Sequence, residues 1–135
     1  MSNPSHPIAV SWDKPFWEAA AQGKLVAQKC RDCGRLQHYP RPACIDCLSQ
    51  SRDWVTLSGV GTVWSFAIVR QVADPAFAGE VPFVLVDVEL DEGLRMTSRL
   101  DDLSVEIGDR VKVVMRQIPD VGIWLPYFER INSAL

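Results

Sequence analysis

The sequence predicts a mainly β protein: a short N-terminal helix, a small ribbon braced by a metal, and a barrel of five strands. Three observations predict it. Four cysteines, the only ones in 135 residues, form two C-x2-C pairs ten residues apart: Cys30 and Cys33, then Cys44 and Cys47. From Trp54 onward the apolar residues recur with a period of two, the signature of half-buried strands. Ahead of the cysteines, Asp13-Lys14-Pro15 opens a run of helix formers that Gly23 closes.

Residues 1–10 read as a tail. In the helix, Asp13 is the cap and Pro15 sits in the first turn, where a missing N–H is harmless. Phe16 to Gln22 continues it and Gly23 stops it. So short a helix does not persist alone in water and must dock. Trp12, Phe16 and Trp17 give it unusual aromatic bulk. They either pack on the protein's own body or anchor a partner, because tryptophan concentrates at interface hot spots. They are the candidate partner interface.

Lys24 to Lys29 reads as a short strand entering the first knuckle, and residues 30–53 as the ribbon. Two C-x2-C pairs can set four thiolates tetrahedrally around one Zn²⁺. Gly34, after Cys33, lets the knuckle turn tightly and lets N–H groups approach the sulfurs. Pro40 and Pro42 stiffen the loop between the pairs. Disulfides are the weaker reading, because Met1 to Val10 has neither the basic start nor the apolar run of a signal peptide. A redox C-x2-C would be single and would start a helix. Four cysteine ligands close the coordination sphere, so the expected zinc is structural. His38 could replace a thiolate, but a lone histidine in such a loop is more often a packing residue.

The barrel strands follow in order. Trp54 to Arg70 reads as one long strand, bent near Gly59 and Gly61, with Val60, Thr62, Trp64, Phe66 and Ile68 on one face. A loop containing Asp74-Pro75 and Gly79 leads to Pro82–Leu90, whose core face is Val84, Val86, Val88 and Leu90. Asp91-Glu92-Gly93 is a hairpin turn into Leu94–Leu100. Asp101 to Ile107 connects to a turn at Gly108-Asp109, and Arg110–Gln117 follows with Val111, Val113 and Met115 inward. Pro119 to Gly122 turns the chain into Ile123–Phe128. Five strands, the first long and bent, fit a small closed barrel of the OB type. The expected organisation is tail, helix and lead-in strand over 1–29, zinc ribbon over 30–53 and barrel over 54–130, with a barrel core that does not depend on the ribbon.

Composition narrows the function. Apolar residues are 47% and charged residues 23%, close to globular averages, so the chain folds. Fourteen Lys and Arg against 17 Asp and Glu leave −3, which argues against a duplex nucleic-acid binder. No apolar run is long enough to span a membrane, and a cytoplasmic location is expected. Four thiolates and one Zn²⁺ make the charge more negative by a further two. Around them stand Lys24, Lys29, Arg31, Arg35 and Arg41, against Asp32. These cations either offset the zinc–thiolate charge or form a face for a phosphate such as those of coenzyme A, with Lys29, Arg31 and Arg35 as its candidates.

Catalytic groups are missing. There are two histidines, His6 and His38, and all four cysteines are committed to metal. No G-x-S-x-G elbow, phosphate-cradling glycine loop or H-E-x-x-H appears. Asp87, Glu89 and Asp91 alternate on one strand and read as an outward polar face rather than a cation site or an acid–base pair.

The motif order resembles a known family. It runs through Phe16-Trp17, Gly23-Lys24-Leu25, Cys30 to Gly34, Pro40-Arg41 with Cys44 and Cys47, and Ser58-Gly59-Val60-Gly61-Thr62-Val63-Trp64-Ser65-Phe66. It continues through Pro82-Phe83, Asp91-Glu92-Gly93, Ile107-Gly108-Asp109-Arg110-Val111 and Pro126-Tyr127-Phe128. Over residues 12–128 the chain is similar to the zinc-ribbon/OB-fold proteins associated with acyl-CoA enzymes, whose ribbon is rubredoxin-like. The resemblance implies an accessory subunit, with no catalytic residues of its own, for a thiolase-superfamily enzyme. Such partners include ketothiolases, thiolase-like aldolases that shorten steroid side chains, and acetoacetyl-CoA thiolase/hydroxymethylglutaryl-CoA synthase assemblies. An acyl-CoA hydratase is a less favoured partner. Trp64 is bulkier than the pattern expects on its strand. Two alternatives stand beside this reading: a single-strand nucleic-acid binder stacking bases on Trp64 and Phe66, and a free-standing acyl-CoA-binding protein.

Overall fold

A computed structural model describes residues 12–73, 75–118 and 122–131. The 1–10 tail with His6, Asp74 of the first barrel loop and residues 119–121 of the last turn lie outside them. The helix, α1, spans Lys14–Ala21. It starts as expected at Asp13, but through the main chain: the Asp13 carbonyl accepts from the N–H groups of Phe16 (2.9 Å) and Trp17 (3.4 Å), while its side chain makes no capping bond. Gly23, at φ +79°, donates to the Ala20 carbonyl and Lys24 to that of Ala19, the paired bonds of a Schellman stop.

Strands β1 (Val26–Cys30), β2 (Leu36–Gln37) and β3 (Arg52–Thr56) form an antiparallel sheet in the order β2-β1-β3. This corrects the single long strand expected from Trp54 to Arg70. Its first residues belong to the ribbon sheet, where β3 runs beside β1 from Cys30↔Arg52 to Val26↔Thr56. The chain then breaks at 57–59: the Leu57 N–H donates to the Leu25 carbonyl, and Gly59 takes φ +75°. The barrel begins only at β4 (Val60–Val69), followed by β5 (Phe83–Leu90), β6 (Arg95–Leu100), β7 (Arg110–Gln117) and β8 (Trp124–Arg130).

The five barrel strands pair in the order β6-β5-β4-β7-β8, all antiparallel. On β5 the predicted alternation holds, and Val84, Val86 and Val88 are fully buried. On β4 the predicted face is right for half the strand. Trp64 is an extra residue: Val63 pairs with Val88 and Ser65 with Asp87, so the register slips between them. Before this bulge Gly61 and Val63 face inward; after it Phe66 and Ile68 pack on the core. One inserted residue reverses which side of the strand is buried. The ladder does not close. β6 and β8, the two edges, meet through the Ser98 hydroxyl, which donates to the Pro126 carbonyl. Pro126, which has no N–H to offer, lies on an edge strand where proline is tolerated.

The core crosses the parts of the chain. Phe16 of α1, Leu25, Val26 and Ala27 at the ribbon's entry, Leu57 at the break and the inward barrel residues form one cluster. The lead-in strand β1 thus lays its buried face on the barrel, while no residue of the 30–53 segment belongs to the buried cluster.

Candidate metal centre and the cleft beside it

The two knuckles are built alike. Gly34 donates to the Cys30 carbonyl (3.0 Å) and Cys30 to that of Arg35 (2.9 Å); Leu48 donates to the Cys44 carbonyl (2.9 Å) and Cys44 to that of Ser49 (2.8 Å). These turns aim the four sulfurs at one point, and all lie within 4.8 Å of one another. Cys30 and Cys47 are 3.5 Å apart, Cys33 and Cys44 3.6 Å. Four sulfurs at the usual Zn–S length of about 2.3 Å stand about 3.8 Å from each other, so the donor set fits one zinc ion. The acidities agree. The Cys33 N–H directed at the Cys30 sulfur lowers that thiol to about 6. The Ser49 N–H favours the Cys47 thiolate, yet the sulfurs around it raise it to about 12. So close a set ionises fully only around a cation. His38 is not in the cluster, and the cysteines are the only such metal-binding group among the described residues.

Leu48 occupies in the second knuckle the place Gly34 has in the first, at φ +64° and 77% exposed. A left-handed non-glycine residue costs about 1–2 kcal/mol, against about 0.5–1 kcal/mol for the extra freedom of an unfolded glycine. Leu48→Gly is therefore expected to stabilise the zinc-loaded protein by up to about 1 kcal/mol, read as a higher denaturation midpoint.

Two buried glutamines, which nothing in the sequence singled out, hold the loop between the knuckles. The Gln28 amide donates to the Arg41 carbonyl (2.8 Å), and its oxygen accepts from the Arg41 N–H (2.9 Å) and the Gln37 amide (2.8 Å). The Gln37 oxygen accepts from the Ile45 N–H (3.2 Å). Gln28→Leu conserves bulk but takes the acceptor from the part-buried Arg41 N–H and one of the two acceptors from the buried Gln37 amide, which keeps the Ala43 carbonyl (3.3 Å). A donor left without an acceptor costs about 1–3 kcal/mol, so a loss of about that size is expected in chemical denaturation at saturating zinc.

The predicted phosphate face looks different once folded. Arg31 is bound by Asp53 (2.7 Å) and Arg35 by Asp46 (2.7 Å). Asp53 comes from β3 and Asp46 from the second knuckle, and counting near neighbours had found only Asp32, which accepts from the Ser49 hydroxyl. Lys29 is exposed on β1 with no ion pair among the described residues. On the acidic strand, Asp87 accepts from Thr97 (2.6 Å), and Arg110 grips Asp91 bidentately (2.8 and 2.9 Å), holding its carboxyl below the ordinary range.

The aromatic helix faces inward for the most part. Phe16 is 4% exposed, in the core; Trp17 is half-buried, edge-on to it at 4.9 Å; Trp12 stays exposed. Trp64 and Phe66 do not form the joint stacking platform of the nucleic-acid alternative. The bulge turns Phe66 onto the core, and the Arg95 guanidinium covers the exposed Trp64 ring at 3.7 Å.

Between α1, the 38–40 segment of the ribbon and the unladdered edges of β6 and β8 lies a cleft of about 390 Å³. Five aromatic rings, Phe16, Trp17, His38, Tyr39 and Tyr127, stand in its walls beside aliphatic side chains such as Leu85 and Leu125. His38 sits 5.6 Å from Phe16 and 4.2 Å from Tyr39, and burial lowers its pKa to about 4, so it is neutral at pH 7. Sequence reasoning missed the cleft because its walls come from five separate segments.

The family description "ChsH2, rubredoxin-like zinc ribbon domain" matches residues 17–52, and "ChsH2, C-terminal OB-fold domain" matches 54–116. A probable enoyl-CoA hydratase alpha subunit of Thermomonospora curvata is 40% identical over 125 residues, 89% of this chain; the chain spans only 38% of that relative. A DUF35 domain-containing scaffold protein of Methanothermobacter thermautotrophicus is 33% identical over 102 residues, 73% of this chain and 76% of that one. The solved structure titled Ltp2-ChsH2(DUF35) aldolase contains a chain that superposes with a TM-score of 0.80 at 34% identity, covering 93% of this chain and 98% of that one. No helix among the described residues is long and apolar enough to cross a membrane.

Proposed function

Because the chain belongs to the DUF35 family, with the zinc ribbon and OB-fold of the ChsH2 type, we propose that it is a non-catalytic accessory subunit of a thiolase-superfamily acyl-CoA enzyme. The partner is a ketothiolase or a thiolase-like aldolase acting on a steroid side chain or another acyl-CoA. The observation that carries this reading is the likeness over nearly the whole chain to the ChsH2 subunit of a solved Ltp2 aldolase. The inventory of side chains supports it: the described residues hold one histidine, neutral and in an apolar cleft, and four thiols gathered at one point. Cys30, Cys33, Cys44 and Cys47 hold one structural zinc, and the reading places the protein in the reducing cytoplasm. Of Trp12, Phe16 and Trp17, Trp12 is the exposed one and the candidate to meet the partner. Of Lys29, Arg31 and Arg35, Lys29 alone makes no ion pair among the described residues and is the one offered to a coenzyme A phosphate.

Purifying the tagged protein from its native cells and identifying what accompanies it tests the proposal. A thiolase-like protein is expected at fixed stoichiometry, with acyl-CoA cleavage by the pair and none by this chain alone. Turnover by the chain alone at enzyme-like rates would overturn the reading. Recovery of a hydratase subunit in place of a thiolase-like one would favour the second reading, which the name of the Thermomonospora relative supports.

A further inference from the structure

The cleft between helix, ribbon and barrel has a chemistry of its own. Its volume, about 390 Å³, falls in the usual range for small-molecule sites of about 300–1,000 Å³. The five rings in its largely apolar wall favour a flat apolar body. Its one cation, Arg99, is held by Glu80 (2.6 Å) and Asp101 (2.9 Å) and lies over the Phe83 ring at 4.2 Å, so it has no charge to spare for an anion. His38 supplies the polar handle. Its ring contacts Phe16 and Tyr39 and takes part in no side-chain hydrogen bond among the described residues, and beside it in the cleft wall the buried Trp17 indole N–H is also without a partner. A neutral imidazole has one donor and one acceptor, and within apolar walls each is worth most to a ligand that can answer it.

We propose that this cleft binds a neutral, flat, largely apolar small molecule carrying one carbonyl or hydroxyl group, which hydrogen-bonds to His38. The site uses this chain's residues alone and does not depend on the accessory-subunit reading.

Three probes of one shape test it on the zinc-loaded full chain: 2-acetylnaphthalene, 2-ethylnaphthalene and 2-naphthoate. Titrations are followed by tryptophan fluorescence and by the Trp17 indole N–H resonance, which reports from the cleft wall. The ketone is expected to bind saturably, about five- to tenfold tighter than the ethyl compound for one hydrogen bond. The carboxylate is expected to bind at least about tenfold more weakly than the ketone, having lost water without gaining a partner. His38→Phe keeps a ring between Phe16 and Tyr39 and should bring the ketone-to-ethyl ratio to about one. Leu85→Arg, at a partly exposed cleft position where folding tolerates a charge, should abolish binding of both. The proposal is overturned if the ketone shows no saturable binding, as it would if the cleft serves only to seat a protein segment. It is equally overturned if the naphthoate binds as tightly as the ketone, or if His38→Phe leaves the ratio unchanged.

Discussion

Cys44→Ser is expected to release the zinc and unfold the whole chain, not the ribbon alone. Structural zinc in small domains contributes on the order of 10 kcal/mol, which rivals the roughly 5–15 kcal/mol that stabilises an entire domain. The shared core carries the damage across. Val26 and Ala27, on the strand that ends at Cys30, are buried in one cluster with Val63, Val84, Val88 and Phe128 of the barrel. When the knuckles open, β1 loses the anchor at its C-terminal end, and its register with β3, from Cys30↔Arg52 to Val26↔Thr56, loosens with it. Zinc content and thermal melting by circular dichroism check this together. A variant without zinc that kept a cooperative β-sheet melt would show that the barrel stands alone. A variant that kept its zinc would overturn the four-cysteine assignment.

Gly61→Ala should be the most damaging single-methyl change in the barrel. A Cβ at Gly61 would lie 2.5 Å from the Glu89 carbonyl oxygen and 2.7 Å from a Val88 methyl. The first of these is main chain in the paired strand, so no rotamer relieves it. The β4–β5 ladder must part where Gly61 faces Leu90 and Thr62 faces Glu89. Overpacking of a rigid core costs about 1–3 kcal/mol, and the absence of a yielding neighbour puts this substitution at or above about 3 kcal/mol. Denaturant titration reads the loss. Gly93→Ala is the control: its Cβ meets nothing within 4 Å, and only its φ of +91° opposes the change.

The parts of this protein legible in its sequence are those where neighbours in sequence are neighbours in space. The cysteine spacing foretold a four-sulfur centre, because each knuckle is a local turn. The alternation Val84, Val86, Val88, Leu90 foretold the buried face of β5, because that strand has no bulge. β4 defeated the same rule, since periodicity cannot say which residue of a strand lies outside the count; here it is Trp64, the residue that had looked too large for its place. The break at 57–59 was half legible: Gly59 announced a bend, but not that the residues before it pair with the ribbon. What the sequence concealed are long-range pairings. Asp46 and Asp53 neutralise Arg35 and Arg31 across the ribbon fold, and Gln28 and Gln37 meet only because β1 and β2 are in register at Gln28↔Gln37. Phe16 announced bulk without direction, and only the docked helix shows it to be core.

The seam between β6 and β8 also determines where the barrel breathes. Every other neighbouring pair of barrel strands is closed by a ladder, while this one is joined by the Ser98 hydroxyl on the Pro126 carbonyl. Main-chain amides along the seam therefore exchange with deuterated water through small local openings, whereas those of β5, laddered on both sides, exchange only when the molecule unfolds. The barrel has in effect a fixed first page at which it opens, and hydrogen exchange should show protection rising from that seam around the sheet toward β5 and β4.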